Sequence, residues 1–217
     1  MSKHSLIPFI GIGSMGAMAL SNLPLDIRKR VVTIYFRRDD TKIKVYSDLQ
    51  VGYSYNYKTG NLDSSNVEIF ISFLVKNINN TFIVANLGGD AAAACAIKTV
   101  ESFAKLGKNS IAHVSEPFHF QSQVVKQKAI NSIAELKSLG CEVSIGNNGD
   151  ILKECGRDML FDDFMYHRSR IIYNVFRDYY SLDFDNTNKE DSNKNYIHDS
   201  ILSRIIWKAQ SLFRSTE

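Results

Sequence analysis

The chain has 217 residues, a formal net charge of +3 and 44% hydrophobic residues. This length suffices for one well-packed core, and the composition excludes an intrinsically disordered chain. The small positive charge gives no reason to expect a specific nucleic-acid surface. The three cysteines, Cys95, Cys141 and Cys155, form no CxxC or Cys/His cluster, which argues against structural zinc or a disulfide framework and favours a reducing, cytoplasmic compartment.

The first residues have the general form of a signal peptide. Lys3 and His4 precede an apolar run that contains AMA, a pattern typical of a cleavage site. Against this, the spacing of the glycines within the run is typical of a turn between a strand and a helix, as described below. In addition, no apolar run reaches the eighteen residues of a membrane helix. We interpret the segment as the first strand and helix of a soluble domain.

The rest of the chain alternates between strand and helix patterns. In chain order, the predicted strands are 6–12, 31–36, 81–85, 110–114 and 141–145, and the predicted helices are 14–23, 91–106, 121–139 and 161–180. Gly107 and Gly140 are expected to end two of these helices. The polar, tyrosine-rich stretch 37–62 suggests only an edge strand over 42–46, and 67–75 suits a helix or a strand equally.

This alternation predicts the fold class. Continuous apolar strands separated by helices are typical of a parallel sheet that is buried on both faces. We therefore expect a three-layer, Rossmann-like α/β domain over residues 1–185, with a mostly parallel sheet and helices on both sides. In such a domain, ligands bind at the carboxyl ends of the strands.

The composition changes after the last predicted helix of this domain. Residues 186–195 (NTNKEDSNKN) are polar and low in complexity and are interpreted as a linker. Residues 196–217 are predicted to form an amphipathic helix with an apolar stripe of Ile197, Ile201, Leu202, Ile205, Ala209, Leu212 and Phe213. Packing of this stripe on its own domain is favoured over a helix-docking partner, bound through 196–214, or a membrane surface.

The first glycine cluster, Gly11-x-Gly13-x-x-Gly16, follows a predicted strand and opens a helix. Such glycines allow a tight turn, close approach of a phosphate to backbone amides, and packing of the helix on the strand. FIGIGSMGAMALSNL also resembles the opening of NADP-dependent hydroxyacid dehydrogenases, with Arg37 and Arg38 where a 2′-phosphate would be bound. That resemblance stops after about forty residues. A purely structural role for the three glycines is a further alternative.

From Thr81 onward the chain resembles the FtsZ/tubulin superfamily, and FtsZ more than tubulin. TFIVANL, GGDAAAA and AKLG correspond without a gap to the family's VFITAGM strand, its GGGTGTG signature and its KELG helix end. SIAHVSEPFHFQ and IGNNGDIL are similar to the family segments TVAVVTKPFSFE and IPNDKLL. Together with the first cluster, the resemblance covers residues 6–23 and 81–152, with a weaker continuation to 185. It implies a nucleotide-binding domain without the family's second domain.

The resemblance also implies the residues of a nucleotide site. The expected nucleotide-binding residues are Gly11, Gly13, Ser14, Gly16, Gly88, Gly89, Asp90, Ala91, Pro117, Gln121 and either Asn147 or Asn148. The implied ligands are GTP or GDP with Mg²⁺, and no other metal is expected, because His113, His119 and His167 lack metal-ligand spacing. Asp183 and Asp185 stand near the place of the family's hydrolytic carboxylates. The interpretation of these residues as ordinary polar residues of a helix end and linker is favoured over a catalytic role.

Several positions depart from the family pattern. Asp90 replaces a signature glycine, and alanines replace the threonine hydroxyls that follow it. Asp90 is therefore expected to repel a phosphate, to cap its own helix or to contact Mg²⁺. Met18, Gln121, Val124 and Val125 also replace polar or basic family residues. The guanine-recognising aspartate has only Met165 or Arg168 as a counterpart in alternative alignments.

The sequence therefore predicts a diverged FtsZ-like protein. We expect it to bind guanine nucleotide weakly or not at all, with poor or absent hydrolysis, and to act in assembly, regulation or scaffolding with itself or another FtsZ-like protein. The alternatives are an active, polymerising GTPase, an NADP-binding protein, and an interaction protein without a ligand.

Overall fold

The computed structural model describes residues 7–28, 31–40, 42, 45–74, 78, 80–156 and 159–180. The strands are β1 (Ile7–Ile12), β2 (Val31–Arg38), β3 (Leu49–Asn56), β4 (Asn61–Asp63), β5 (Asn80–Asn86), β6 (Asn109–Ser115) and β7 (Glu142–Gly146). The helices are α1 (Gly13–Ser21), α2 (Leu25–Arg28), α3 (Ser65–Leu74), α4 (Asp90–Lys105), α5 (Gln123–Ser138), α6 (Asn148–Cys155) and α7 (Phe161–Tyr180). The predicted linker and C-terminal helix, with Asp183 and Asp185, lie outside the described residues.

The strands form one seven-stranded sheet in the order β4-β3-β2-β1-β5-β6-β7. All neighbouring strands pair in parallel except β3 and β4, which are antiparallel. Starting from the central strand β1, the chain adds β2, β3 and β4 on one side of it. It then adds β5, β6 and β7 on the other side. The carboxyl ends of β1 and β5 therefore flank the switch point, where α/β sheets bind ligands. The predicted fold class is confirmed.

The central strands are buried on both faces, as their continuous apolar sequences predicted. Successive residues alternate between two cores, since strand side chains point to opposite faces. One core contains Ile10, Phe36 and Ile83 together with Phe70 of α3 and Phe103 of α4. The other contains Phe9, Tyr35 and Phe82 with Leu20 of α1 and Phe176 of α7. Helices thus cover both faces, which gives the predicted three layers.

The edge of the sheet differs from the prediction. The described residues of 42–46, namely Lys42, Val45 and Tyr46, lie outside any strand, so the predicted edge strand there is wrong. The edge is built instead by β3 and β4. Their many polar and tyrosine residues made the alternation of buried and exposed positions hard to recognise in the sequence. In β3 the side chains of Leu49, Val51 and Tyr53 are buried, while the intervening ones are more exposed, as expected of a strand near an edge.

In the undecided segment 67–75, the described residues 67–74 belong to a helix, α3. Its buried residues are Val67, Phe70, Ile71 and Leu74, a spacing that fits one face of a helix and not a strand. The predicted helix ends at Gly107 and Gly140 are confirmed, with φ angles of +66° and +78°. The short helices α2 and α6 were not predicted.

Candidate functional site

The two glycine-containing loops lie side by side at the carboxyl edge of the sheet. Gly11 and Gly16 bring α1 against β1 so closely that a Cβ on Gly16 would lie 2.3 Å from the carbonyl carbon of Gly11. Gly13 has φ +66° and starts α1, where a Cβ would lie 3.2 Å from Cβ of Ala92 in α4. The N-termini of α1 and α4 therefore converge, with Ser14 exposed beside them.

The second loop connects β5 to α4. Its turn is held by Asn86, whose Oδ1 accepts a hydrogen bond of 3.0 Å from the amide of Gly88. Gly89 is the N-cap of α4, and, as a glycine, it has no side chain with which to cap the helix. The first backbone amides of α4 thus keep their capacity to bind an anion.

Asp90 is the first residue of α4 and does not cap its own helix, so that expected role is wrong. Its carboxylate instead accepts hydrogen bonds of 2.8 and 3.0 Å from Nζ of Lys128 in α5. This hydrogen bond raises the pKa of Lys128 above its ordinary value. The pair places one negative and one positive charge beside the amides of α4. In the family signature that the sequence resembles, a glycine stands at the position of Asp90.

The loop after β6 completes this end of the site. Pro117 and Val125 lie against Gly88, where a Cβ would be 3.8 Å from Cγ of the proline and 3.4 Å from Cγ1 of the valine. Gln121 folds back on its own loop, and its Oε1 accepts a hydrogen bond of 2.8 Å from the amide of Phe118. Ser122 caps α5. The side chain of Gln121 is thus engaged within its own loop.

A buried arginine occupies the carboxyl ends of β6 and β7. Arg168 of α7 is only 2% exposed and donates hydrogen bonds to Oδ1 of Asn148, to Oγ of Ser115 at 2.5 Å and to the carbonyl oxygen of Gly146 at 3.4 Å. Burial lowers its pKa to about 10. Among the described residues no carboxylate pairs with it, and its Nε has no hydrogen-bond partner.

The two asparagines considered as nucleotide-binding residues both make contacts within the protein. Asn148 is buried; its Nδ2 donates to the carbonyl oxygen of Glu116 at 2.7 Å, and its Oδ1 accepts from Arg168. Asn147 caps α6 by accepting from the amide of Gly149 at 2.7 Å. Both polar atoms of the Asn148 side chain and the Oδ1 of Asn147 are therefore engaged within the protein.

His113 lies beside this arginine. Its Nδ1 is 3.1 Å from Oγ of Ser144, and its Nε2 is buried without a hydrogen-bond partner. Burial, aided by the charge of Arg168, lowers the pKa of His113 to about 3. The ring is thus neutral near pH 7. A Cβ on Gly146 would lie 2.7 Å from Nη2 of Arg168 and 2.9 Å from Nε2 of His113, so the cluster is tightly packed.

The fold thus gathers at one edge the residues expected from Gly11 to Asn148, while Asp183 and Asp185 lie outside the described residues. Sequence reasoning missed Lys128 and Ser115, which become site residues only because α5 packs beside α4 and β6 ends next to α7. In the described part of the chain, no cluster of His, Cys, Asp or Glu has the makeup of a metal site, and no helix there is long and apolar enough to cross a membrane.

Comparison with known proteins finds FtsZ and related proteins. No protein-family model matches the chain. The cell division protein FtsZ of Buchnera aphidicola subsp. Acyrthosiphon pisum is 25% identical over 179 residues, which are 76% of this chain and 46% of that protein. The chain therefore spans about half the length of this curated relative.

Solved structures share the fold. FtsZ of M. jannaschii, solved as an empty dimer, superimposes with a TM-score of 0.65 and 17% identity over 91% of this chain and 61% of its own. CetZ2 of Haloferax volcanii, solved as a GTPγS-bound protofilament, gives a TM-score of 0.59 and 15% identity over 79% and 58%. With the order of the two glycine loops along the same sheet, these likenesses show that the chain has the fold of the FtsZ/tubulin nucleotide-binding domain.

Proposed function

We propose that this chain is a diverged FtsZ-like assembly or scaffolding protein that binds guanine nucleotide weakly or not at all. The observation that carries the proposal is the buried guanidinium of Arg168, held by Asn148, Ser115 and Gly146 at the base end of the site. An arginine has only donors, and guanine presents N–H donors on the edge that a carboxylate recognises. A guanidinium at this place cannot replace an accepting carboxylate.

The phosphate end of the site supports the same proposal. The carboxylate of Asp90 lies where the signature loop of the family has only backbone, and it opposes a bound phosphate by Coulomb repulsion. Its pairing with Lys128 offsets part of this repulsion. The uncapped amides of α4 remain attractive to an anion. Together these features favour weak phosphate binding over none.

Hydrolysis is proposed to be poor or absent. Alanines replace the signature hydroxyls that would otherwise approach the phosphates and Mg²⁺, beginning with the buried Ala91. Asp90 is the only acidic residue of the second glycine loop, and contact with Mg²⁺ would require it to leave Lys128. Asp183 and Asp185 remain the candidate carboxylates, as the sequence predicted.

Self-assembly is the second part of the proposal. FtsZ of M. jannaschii forms a dimer and CetZ2 of H. volcanii a protofilament in their solved structures. We propose that this chain likewise associates with copies of itself or with another FtsZ-like protein, in the cytoplasm. Because the nucleotide contacts are altered, this association should depend little on GTP.

An active GTPase is the second candidate, and the glycine geometry favours it. Gly11 and Gly16 keep the close packing of α1 on β1, and Gly13 keeps a positive φ at the start of α1, as a phosphate-binding loop requires. The NADP alternative has less support, because Arg38 is already paired with Asp40 and lies over the ring of Tyr57. A 2′-phosphate would have to displace these contacts.

One experiment tests the proposal. The purified protein is denatured to identify any released nucleotide, and the nucleotide-free protein is then titrated with GTP, GDP, ATP and NADPH by calorimetry. We expect no nucleotide to bind tighter than about millimolar. Sedimentation velocity with and without GTP–Mg²⁺ should give the same concentration-dependent oligomers. Micromolar GTP binding with phosphate release, lost in Asp183→Ala, would instead establish the GTPase, and a strict monomer would exclude the scaffold.

A further inference from the structure

An exposed aromatic patch lies beside the site and has no role in the proposed function. It consists of Phe120 (70% exposed), Val124 (64%), Leu160 (71%) and Phe161 (70%), and this set is called the aromatic patch below. Four large apolar side chains exposed together on one surface are unusual for a protein that functions alone.

Ring contacts join the two halves of the patch. Phe118 stacks on Phe120 with ring centroids 5.0 Å apart. It also contacts Phe164 of α7 at 5.4 Å. Since Phe164 lies one turn after Leu160 and Phe161, the loop before α5 and the start of α7 form one continuous surface.

The patch has an acidic border. Asp162 and Asp163 are exposed in the first turn of α7, and neither has an ion-pair partner among the described residues. The nearby cations of α5 are engaged elsewhere, since Lys126 donates to the carbonyl oxygen of His119 and Lys128 binds Asp90. The surface therefore fits an apolar partner with a basic flank.

We propose that the aromatic patch is the docking site for the amphipathic segment 197–213 of the same chain. The apolar stripe of this segment, which includes Ile201 and Ile205, matches the patch in character. Residues 197–213 contain two basic residues, Arg204 and Lys208, and one acidic residue, Asp199, which lies near the start of the segment. On a helix, Arg204 and Lys208 would lie four residues apart along one side of the stripe. Their positive charges would complement the carboxylates of Asp162 and Asp163.

The length of the chain allows this docking. Phe176 packs on Phe9 and Phe82 in the first halves of β1 and β5, so α7 runs from the carboxyl edge of the sheet to the amino edge. Its 20 residues span about 30 Å at ~1.5 Å per residue. Residues 181–195 reach about 50 Å when extended at ~3.3 Å per residue. The segment can therefore return to the patch, and tethering favours the same chain over a second copy.

Amide hydrogen exchange of the full chain tests the proposal. We expect residues 197–213, and the patch segments 118–124 and 160–164, to exchange at least tenfold more slowly than in the variant Ile201→Asp. The matched control Ser203→Asp, on the opposite side of the helix from the stripe, should leave protection unchanged. Amides of β1 and β5 report that each variant is folded.

A substitution in the aromatic patch should also reduce the protection of residues 197–213 from hydrogen exchange. Phe161→Ser should release 197–213, whereas Tyr166→Ser, which removes another exposed aromatic of α7, should not. The proposal fails if 197–213 is unprotected in the unaltered protein or indifferent to Phe161→Ser. Protection that appears only as protein concentration rises would also overturn it, in favour of docking on a second copy.

Discussion

The ammonium group of Lys128 lies 2.8 Å from Oδ1 and 3.0 Å from Oδ2 of Asp90. The two residues are 38 positions apart, on the neighbouring helices α5 and α4. Asp90 stands at the start of α4, where a phosphate would approach the helix amides. The pair therefore places one negative and one positive charge beside these amides, and the two charges can be altered separately.

Replacing the carboxylate should strengthen phosphate binding. Asp90→Asn removes the repulsion between the carboxylate and a phosphate. It also frees the ammonium group of Lys128 to contact a phosphate bound at the amides of α4. We expect GTP affinity, measured by calorimetry, to rise by about tenfold or more, the effect of a unit charge a few ångströms away near a protein surface. Asp178→Asn, exposed near the far end of α7, is the matched control. A fall in affinity with Mg²⁺ present would show that Asp90 instead contacts the metal.

The buried Arg168 should contribute to the stability of the protein through the volume of its side chain as well as through its hydrogen bonds. Arg168→Ala should lower the free energy of unfolding by about 2–4 kcal/mol, because it leaves a cavity and unpaired oxygens on Asn148 and Ser115. Arg168→Met fills much of the space and removes a buried cation that has no carboxylate partner among the described residues, so its cost should be less than half as large.

Urea denaturation measures both variants. Arg170→Ala, exposed two positions further along α7, should stay within about 0.5 kcal/mol of the unaltered protein. Equal destabilisation by the Met and Ala variants would show that the hydrogen bonds of Arg168, and not its volume, hold the strand ends together.

His113 should make the protein sensitive to acid. Its pKa is about 3 when folded, against about 6.5 when unfolded, so the unfolded chain binds more protons between these values. Stability should therefore fall as the pH drops from about 6.5 toward 3, by up to about 1.4 kcal/mol per pH unit from this group.

The variant His113→Gln should flatten this dependence, as measured by urea denaturation at pH 4.5 and 7. Its control is His167→Gln, which alters an exposed histidine of α7 and should leave the pH slope unchanged. An identical slope in His113→Gln and the unaltered protein would mean that His113 becomes protonated without unfolding.

Substitution by alanine should destabilise the protein strongly at one glycine of the site and hardly at all at another. Gly16→Ala places a Cβ 2.3 Å from the backbone of Gly11, and neither backbone can move without separating α1 from β1. We expect a loss of about 3 kcal/mol or more in the free energy of unfolding. At Gly89 an added Cβ meets nothing within 4 Å, so Gly89→Ala should change stability by less than about 1 kcal/mol. Similar effects at both positions would contradict the packing role of Gly16.

Much of the fold could be predicted from the sequence because its signals are local. The apolar runs at β1, β2 and β5 are buried on both faces, so they are strands whatever their neighbours are. Gly107 and Gly140 end helices because their backbone takes a positive φ. The edge strand β3 escaped prediction because only one of its faces meets the core, and its tyrosines and polar residues conceal the alternation.

By itself, the sequence determined the class of fold, the order of the glycine loops and the loss of the signature hydroxyls, since each depends on residue type along a short stretch. Only the tertiary structure decided how the altered residues are used. Asp90 meets Lys128 because α4 and α5 pack side by side, and Arg168 meets Asn148 because α7 crosses the ends of β6 and β7. Such partners are 38 and 20 residues apart, and no local pattern specifies them; they are set by the packing of helices on a common sheet.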